Sequence, residues 1–302
     1  NFSHRPPAMY LARQTARFEK IDLNHHTYHL RRWGNPNAPL LVLLHGWMDA
    51  SPTFQFMVDA LQEDWNIVAP DWRGFGHSAW NAGSYYFPDY LADLDALLTY
   101  LSPDAPVLVA GHSMGSMVAA LYAGIRPERV ARLVSIEGFG LADASPEDAP
   151  PRYARWLHES AHAPHFAPVS SLEAFAERLV RRNPNLPLDH ALFLAHTLTE
   201  PDGQGRWRHL ADPKHKIINP ILYRLEEAKA CWRAIRCPVL WIVGAGQSDH
   251  PLAHGVLHTL DERATCFADL QRVDIPNAGH MVQQEKPLEV AAALEAFMRL
   301  GR

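Results

Sequence analysis

The sequence predicts an α/β fold: a mostly parallel sheet of eight strands flanked by helices, with a helical insert after the sixth strand. Three observations point there. Apolar, β-rich runs alternate along the chain with longer segments of helical period, the arrangement that gives a parallel sheet covered on both faces. The middle runs are apolar at nearly every position, as in LLVLL at 40–44 and VLVA at 107–110, which a strand needs when both of its faces are buried. Between 141 and 235 the alternation stops, and ten prolines cut that stretch into short pieces.

Taken in order, 18–23 and 26–32 read as two strands around Asn24-His25, an antiparallel start. The strands at 40–44, 66–70, 107–110, 132–136, 238–243 and 266–275 follow. Helices are expected at 54–61, 90–101, 114–125 and 288–300; in the last, Leu288, Ala291, Leu294 and Phe297 share one face. Within the insert, 172–182 and 221–235 keep helical character. The chain therefore divides into a core of 1–140 with 236–302 and a helical cap of 141–235. The cap holds twelve basic and twelve acidic residues, so its composition suggests no steering of a highly charged substrate.

Composition narrows the function classes. With 28 Lys+Arg against 33 Asp+Glu the formal charge is −5, and 47% of residues are hydrophobic. That is a chain able to bury a core, without the basic excess of a nucleic-acid protein. Apolar runs such as 117–125 fall well short of the roughly 18–20 residues needed to span a bilayer. Three cysteines make neither a disulfide framework nor a zinc-ribbon spacing. The first ten residues lack a basic region followed by an apolar stretch, the mark of a secretory leader. The expected compartment is the cytoplasm, with a leader removed upstream of Asn1 left open.

The chemistry concentrates in three short segments. Gly111-His112-Ser113-Met114-Gly115 lies directly between a predicted strand and a predicted helix. A sharp strand-to-helix turn presents its central side chain at the sheet's end, and the positions two before and two after must be small to avoid collision. His45-Gly46-Trp47 closes the LLVLL strand. Acyl transfer needs N–H donors for the oxyanion that develops, and the backbone N–H groups of Trp47 and Met114 are placed to supply them. His280, in Asn277-Ala278-Gly279-His280, follows the last predicted strand. There its ring can reach other strand ends and take the proton that makes a serine hydroxyl nucleophilic.

These segments, together with Asp71-Trp72-Arg73-Gly74-Phe75-Gly76-His77-Ser78, resemble the α/β-hydrolase superfamily over essentially the whole chain. HGWMDAS with GHSMG looks most like its capped serine hydrolases and esterases. The resemblance implies a Ser113–His280–acid triad cleaving a small-molecule ester, with no cofactor, no metal, no nucleic-acid partner and no membrane span. It also implies that DWRGFGHS is a structural loop tied down by Arg73. The family usually places the acid after the seventh strand, as a Gly followed three residues later by Asp. Counting from Gly246 reaches Asp249, the expected acid, whereas counting from Gly244 reaches Gln247. Glu137, at the end of the sixth strand, is the alternative. Carbon–carbon bond hydrolysis or perhydrolysis on the same triad, or a ligand-binding protein of this fold without catalysis, are the other readings. His158, His162 and His165, and His254 with His258, are spaced to share helix faces but lack a full metal-binding pattern. Trp156, Trp207 and Trp232 are expected to hold the short cap helices together.

Overall fold

The computed structural model describes residues 8–246 and 255–299. One eight-stranded sheet has the order β1-β2-β4-β3-β5-β6-β9-β10. Its members are β1 (Arg17–Leu23), β2 (His26–Gly34), β3 (Leu40–Leu44), β4 (Asn66–Pro70), β5 (Val107–His112), β6 (Val130–Ile136), β9 (Val239–Gly244) and β10 (Leu270–Ile275). β1 and β2 pair antiparallel, as does β2 with β4; every other pairing is parallel. The order runs outward from β3 and β5, so the ends of β3, β5, β6 and β9 come together along one edge.

The apolar runs are continuous because each central strand feeds two cores. Val42 and Leu44 of β3 join Val109, Leu133, Trp241 and Val243 on one face, beneath helices α2 (Phe87–Leu101) and α3 (Met114–Ile125). Leu41 and Leu43 join Ala110, Val134, Ile136, Leu240 and Ile242 on the other, beneath α1 (Gln55–Ala60) and the C-terminal helix Pro287–Arg299. Side chains alternate between faces along a strand, so an apolar residue is needed at every position. Each such buried side chain contributes roughly 1.5–3 kcal/mol relative to exposure. The predicted last strand begins later than its apolar pattern suggests: 266–269 form a turn, and pairing with β9 starts at Leu270.

Between β6 and β9 the chain leaves the sheet. It forms α4 (Ala149–Ala161), α5 (Leu172–Arg182), α6 (Leu188–Thr197), a short hairpin of β7 (Thr199–Pro201) and β8 (Trp207–His209), and α7 (Leu225–Arg233). The hairpin stands where the sequence shows no strand pattern; three residues per strand are too few to display a period. α5 and α6 enclose a separate small core of Val169, Phe175, Leu192, Phe193 and Leu194, which takes in Phe56 from the main body. Phe56 stacks on His190 at 4.0 Å, and the Tyr10 hydroxyl donates to Asp59 at 2.7 Å alongside. No helix among the described residues is long and apolar enough to cross a membrane.

α7 belongs to a different neighbourhood from the rest of this segment. Ala228 and Trp232 sit in the core beneath α3, and a β-carbon on Gly124 of α3 would collide with the Cys231 carbonyl. Gly124 is what lets the two helices touch. Gly124→Ala is therefore expected to cost about 1–3 kcal/mol through overpacking, read as a lower urea midpoint.

Candidate active site

Ser113 sits between β5 and α3 with φ 51° and ψ −118°, a conformation that costs a residue bearing a side chain of order 1–3 kcal/mol. The surroundings hold it there. Its N–H donates to the Ile136 carbonyl at 2.9 Å, and its carbonyl accepts from Met117 at 3.1 Å. A β-carbon on Gly111 would strike the backbone of Gly115, and one on Gly115 would strike the Leu44 carbonyl. Both glycines are thus required by close backbone approach, and the Ser113 side chain is left at the sheet's edge.

His280 lies opposite. Its Nε2 is 3.0 Å from Ser113 Oγ, the separation at which an imidazole can accept the hydroxyl proton. Two contacts place the histidine. His112 Nε2 donates to the His280 carbonyl at 2.8 Å, and Glu285 accepts the Gly279 N–H at 2.9 Å. Neither His112 nor Glu285 is marked by the sequence pattern. His112 fills a free position of the Gly-x-Ser-x-Gly motif, and its partner lies 168 residues away.

The other ring nitrogen of His280, Nδ1, is 4.0 Å from Glu137 Oε1. This is an ion-pair separation, too long for a hydrogen bond. Glu137 follows β6 with φ 49°, and its N–H donates to Ile242 at 3.0 Å. Burial pushes its carboxyl up to about 8, against a backbone hydrogen bond from Gly244 that favours the charged form. An imidazolium forming on His280 would draw it toward the carboxylate. Asp249, the acid expected from spacing, lies outside the described residues, as does His254.

Gly46 backs directly onto the serine: a β-carbon there would lie 3.1 Å from Ser113 Cβ. Trp47 follows Gly46 in the chain, and the residue is 47% exposed. Met114, the first residue of α3, has an N–H without an acceptor in the preceding turn. His45 locks this loop in place. Its Nδ1 donates to Gly46 O at 2.7 Å, its Nε2 accepts from the Trp72 N–H at 2.9 Å, and Trp72 Nε1 donates back to the His45 carbonyl at 2.9 Å. One nitrogen donates and the other accepts, so the ring is neutral, and full burial lowers its pKa to about 4.

The loop after β4 is also tied down. Arg73 makes a two-pronged pair with Asp93, at 2.7 and 2.8 Å, and Tyr28 donates to the same carboxylate. Asp71 accepts from Ser51 N, His77 N and His29 Nδ1. These hydrogen bonds outweigh its burial and hold it well below the usual carboxylate range.

The chain belongs to the family described as the alpha/beta hydrolase fold, whose sequence model matches residues 39–287. It is a hydrolase of that family. It is 30% identical to the Lipase LipV of Mycobacterium tuberculosis over 90% of this chain and 97% of that protein. It is 31% identical to a serine hydrolase-like protein of Danio rerio over 57% of this chain, a match spanning 55% of that relative's length. Among solved structures, a thioesterase domain from the curacin biosynthetic pathway superposes with a TM-score of 0.82. That superposition covers 93% of this chain and 99% of the domain at 23% identity.

The neutral His45 gives a pH test. The unfolded chain takes up a proton on this residue below about 6.5, whereas the folded chain resists until about 4. The stability His45 brings is thus complete above 6.5 and lost as pH falls toward 4, by about 3 kcal/mol. The stability gap between wild type and His45→Gln is expected to narrow over that window in urea titrations. A gap independent of pH would mean that His45 takes up its proton as readily in the fold as in the unfolded chain, and a gap that widens as pH falls would mean that it is charged in the fold.

Proposed function

We propose that the protein is a serine hydrolase that cleaves carboxylic esters through an acyl-enzyme. The observation that carries this reading is the 3.0 Å approach of His280 Nε2 to Ser113 Oγ, on a turn whose glycines serve only to expose that serine. Ser113 attacks the ester carbonyl while His280 takes its proton. The N–H groups of Trp47 and Met114 receive the oxyanion, and His280 then protonates the departing alcohol. Water repeats the sequence on the acyl-enzyme and frees the acid. The similarity to a lipase and to a serine hydrolase-like protein supports ester chemistry.

Asp249 is the acid in this reading, and Glu137, whose carboxyl stands on the Nδ1 side of His280 at 4.0 Å, is the alternative. The segment 141–235 acts as the cap, anchored to the main body through Phe56 and closing over the nucleophile.

Ser113→Ala is expected to abolish hydrolysis of a short p-nitrophenyl ester while leaving the thermal transition in place. A fluorophosphonate should label Ser113 alone; labelling elsewhere would sink the assignment. Asp249→Asn is expected to lower kcat by about 10⁴ if the triad behaves like that of the serine proteases, and Glu137→Gln to leave most of it. The opposite outcome would move the acid to Glu137.

A further inference from the structure

The first two strands enclose a second cleft, none of whose residues belongs to the site at Ser113. It has a volume of about 410 Å³ and is lined by Phe18, Glu19, Lys20, His29, Arg31 and His77. The antiparallel register of β1 and β2 sets Phe18 opposite Arg31 and Lys20 opposite His29. Alternation along each strand keeps these four side chains on one face of the sheet. The Glu19 side chain falls on the other face, where its carboxylate accepts from Arg32 at 2.7 Å and from Tyr100.

The contacts within the cleft are close. The guanidinium carbon of Arg31 lies 4.9 Å from the centroid of the Phe18 ring. His29 stacks on Phe18 at 5.3 Å, and His77 meets His29 edge-on at 5.1 Å. Arg31 is only 8% exposed. Its Nε donates to Ser51 Oγ at 3.2 Å, and its terminal nitrogens have no acceptor among the described residues. Most of the five guanidinium donors are thus left to the cleft. Burial works against the charge on Arg31, and the carboxylate that offsets it is Asp71. Asp71 is itself occupied, by Ser51 N, His77 N and His29 Nδ1.

No other acid answers these cations. Lys20 is exposed and has no ion pair among the described residues. Asp22, two residues further on, accepts from Thr27 at 3.1 Å and does not line the cleft. Glu200 of the insert bears on His77, but Arg208 holds its carboxylate at 2.7 Å. A buried guanidinium that lacks acceptors is costly. An oxyanion supplies them, because two of its oxygens match the planar fork.

We propose that this cleft binds a small organic oxyanion, a carboxylate or phosphate carried on an aromatic body. Arg31 takes two oxygens of the head group, Lys20 adds a point charge, and the Phe18 ring packs against the body. The volume favours an organic ligand over a bare ion: about 410 Å³ lies within the roughly 300–1,000 Å³ of pockets that hold small molecules. The proposal stands whatever Ser113 does.

Calorimetry tests it with phenyl phosphate and benzoate, with inorganic phosphate and acetate as the bare head groups, and with phenol as the body alone. Phenyl phosphate or benzoate is expected to bind more tightly than its head group and than phenol, and the tighter of the two names the head group. Lys20→Gln should weaken that ligand about threefold, as for an exposed ion pair. Arg31→Gln should weaken it about tenfold or more, as for hydrogen bonds to a charged group. Phe18→Ala should weaken it while leaving the bare head group unaffected. Arg17→Gln removes a charge from the opposite face of β1 and should change nothing. Arg31 is buried, so its variant is read only where the thermal transition is intact; the exposed positions Lys20 and Phe18 decide the matter if it is not. Failure of both aromatic anions to bind would overturn the proposal. So would a bare head group that binds as tightly, an affinity unchanged in Lys20→Gln and Phe18→Ala, or an equal fall in Arg17→Gln.

Discussion

Everything at the site depends on one backbone turn, Ser113 held at φ 51° and ψ −118° between β5 and α3. Left to itself the chain would relax from this conformation. It stays because neighbouring strands close around it: the Ser113 N–H is bound to the end of β6, and Gly111 and Gly115 admit the backbones of α3 and β3 at distances no side chain would tolerate. The side chain then has no choice but to point out of the sheet edge. The cost of the turn is spread over a close-packed centre whose strands are buried on both faces.

Around that turn, polar groups do what apolar packing cannot, fixing loops that must lie at the surface. His45 works as a neutral clamp, one nitrogen giving and one receiving, which holds the Trp47 loop against the chain after β4. Arg73 and Asp93, with Tyr28, do the same as charges, and Asp71 gathers three donors from three segments. Breaking such a buried pair from one side leaves an unpaired charge, so these loops hold together or loosen together. The resulting rigidity suits a site in which Ser113 Oγ and His280 Nε2 are held 3.0 Å apart.

The segment between β6 and β9 is built on different terms. It has its own small core, grafted onto the main body at Phe56, and its exposed helices pair most of their charges locally.

The sequence alone determined the layers and the strand-to-helix turn at Ser113. Both-face burial writes itself as unbroken apolar runs, and a collision-limited turn writes itself as glycines two before and two after a serine; each is a local constraint and is legible locally. Its reach weakened where the pattern was too short or belonged to distant residues. The β7–β8 hairpin has too few residues for a period, and the start of β10 is set by its pairing with β9 and not by where its apolar residues begin. That His112 should brace a carbonyl 168 residues later, and that a lysine of the insert should lie over Trp47, were decided by the tertiary structure. Those contacts follow from the order of strands in the sheet and from the path of the insert back over its edge, and no spacing along the chain encodes either.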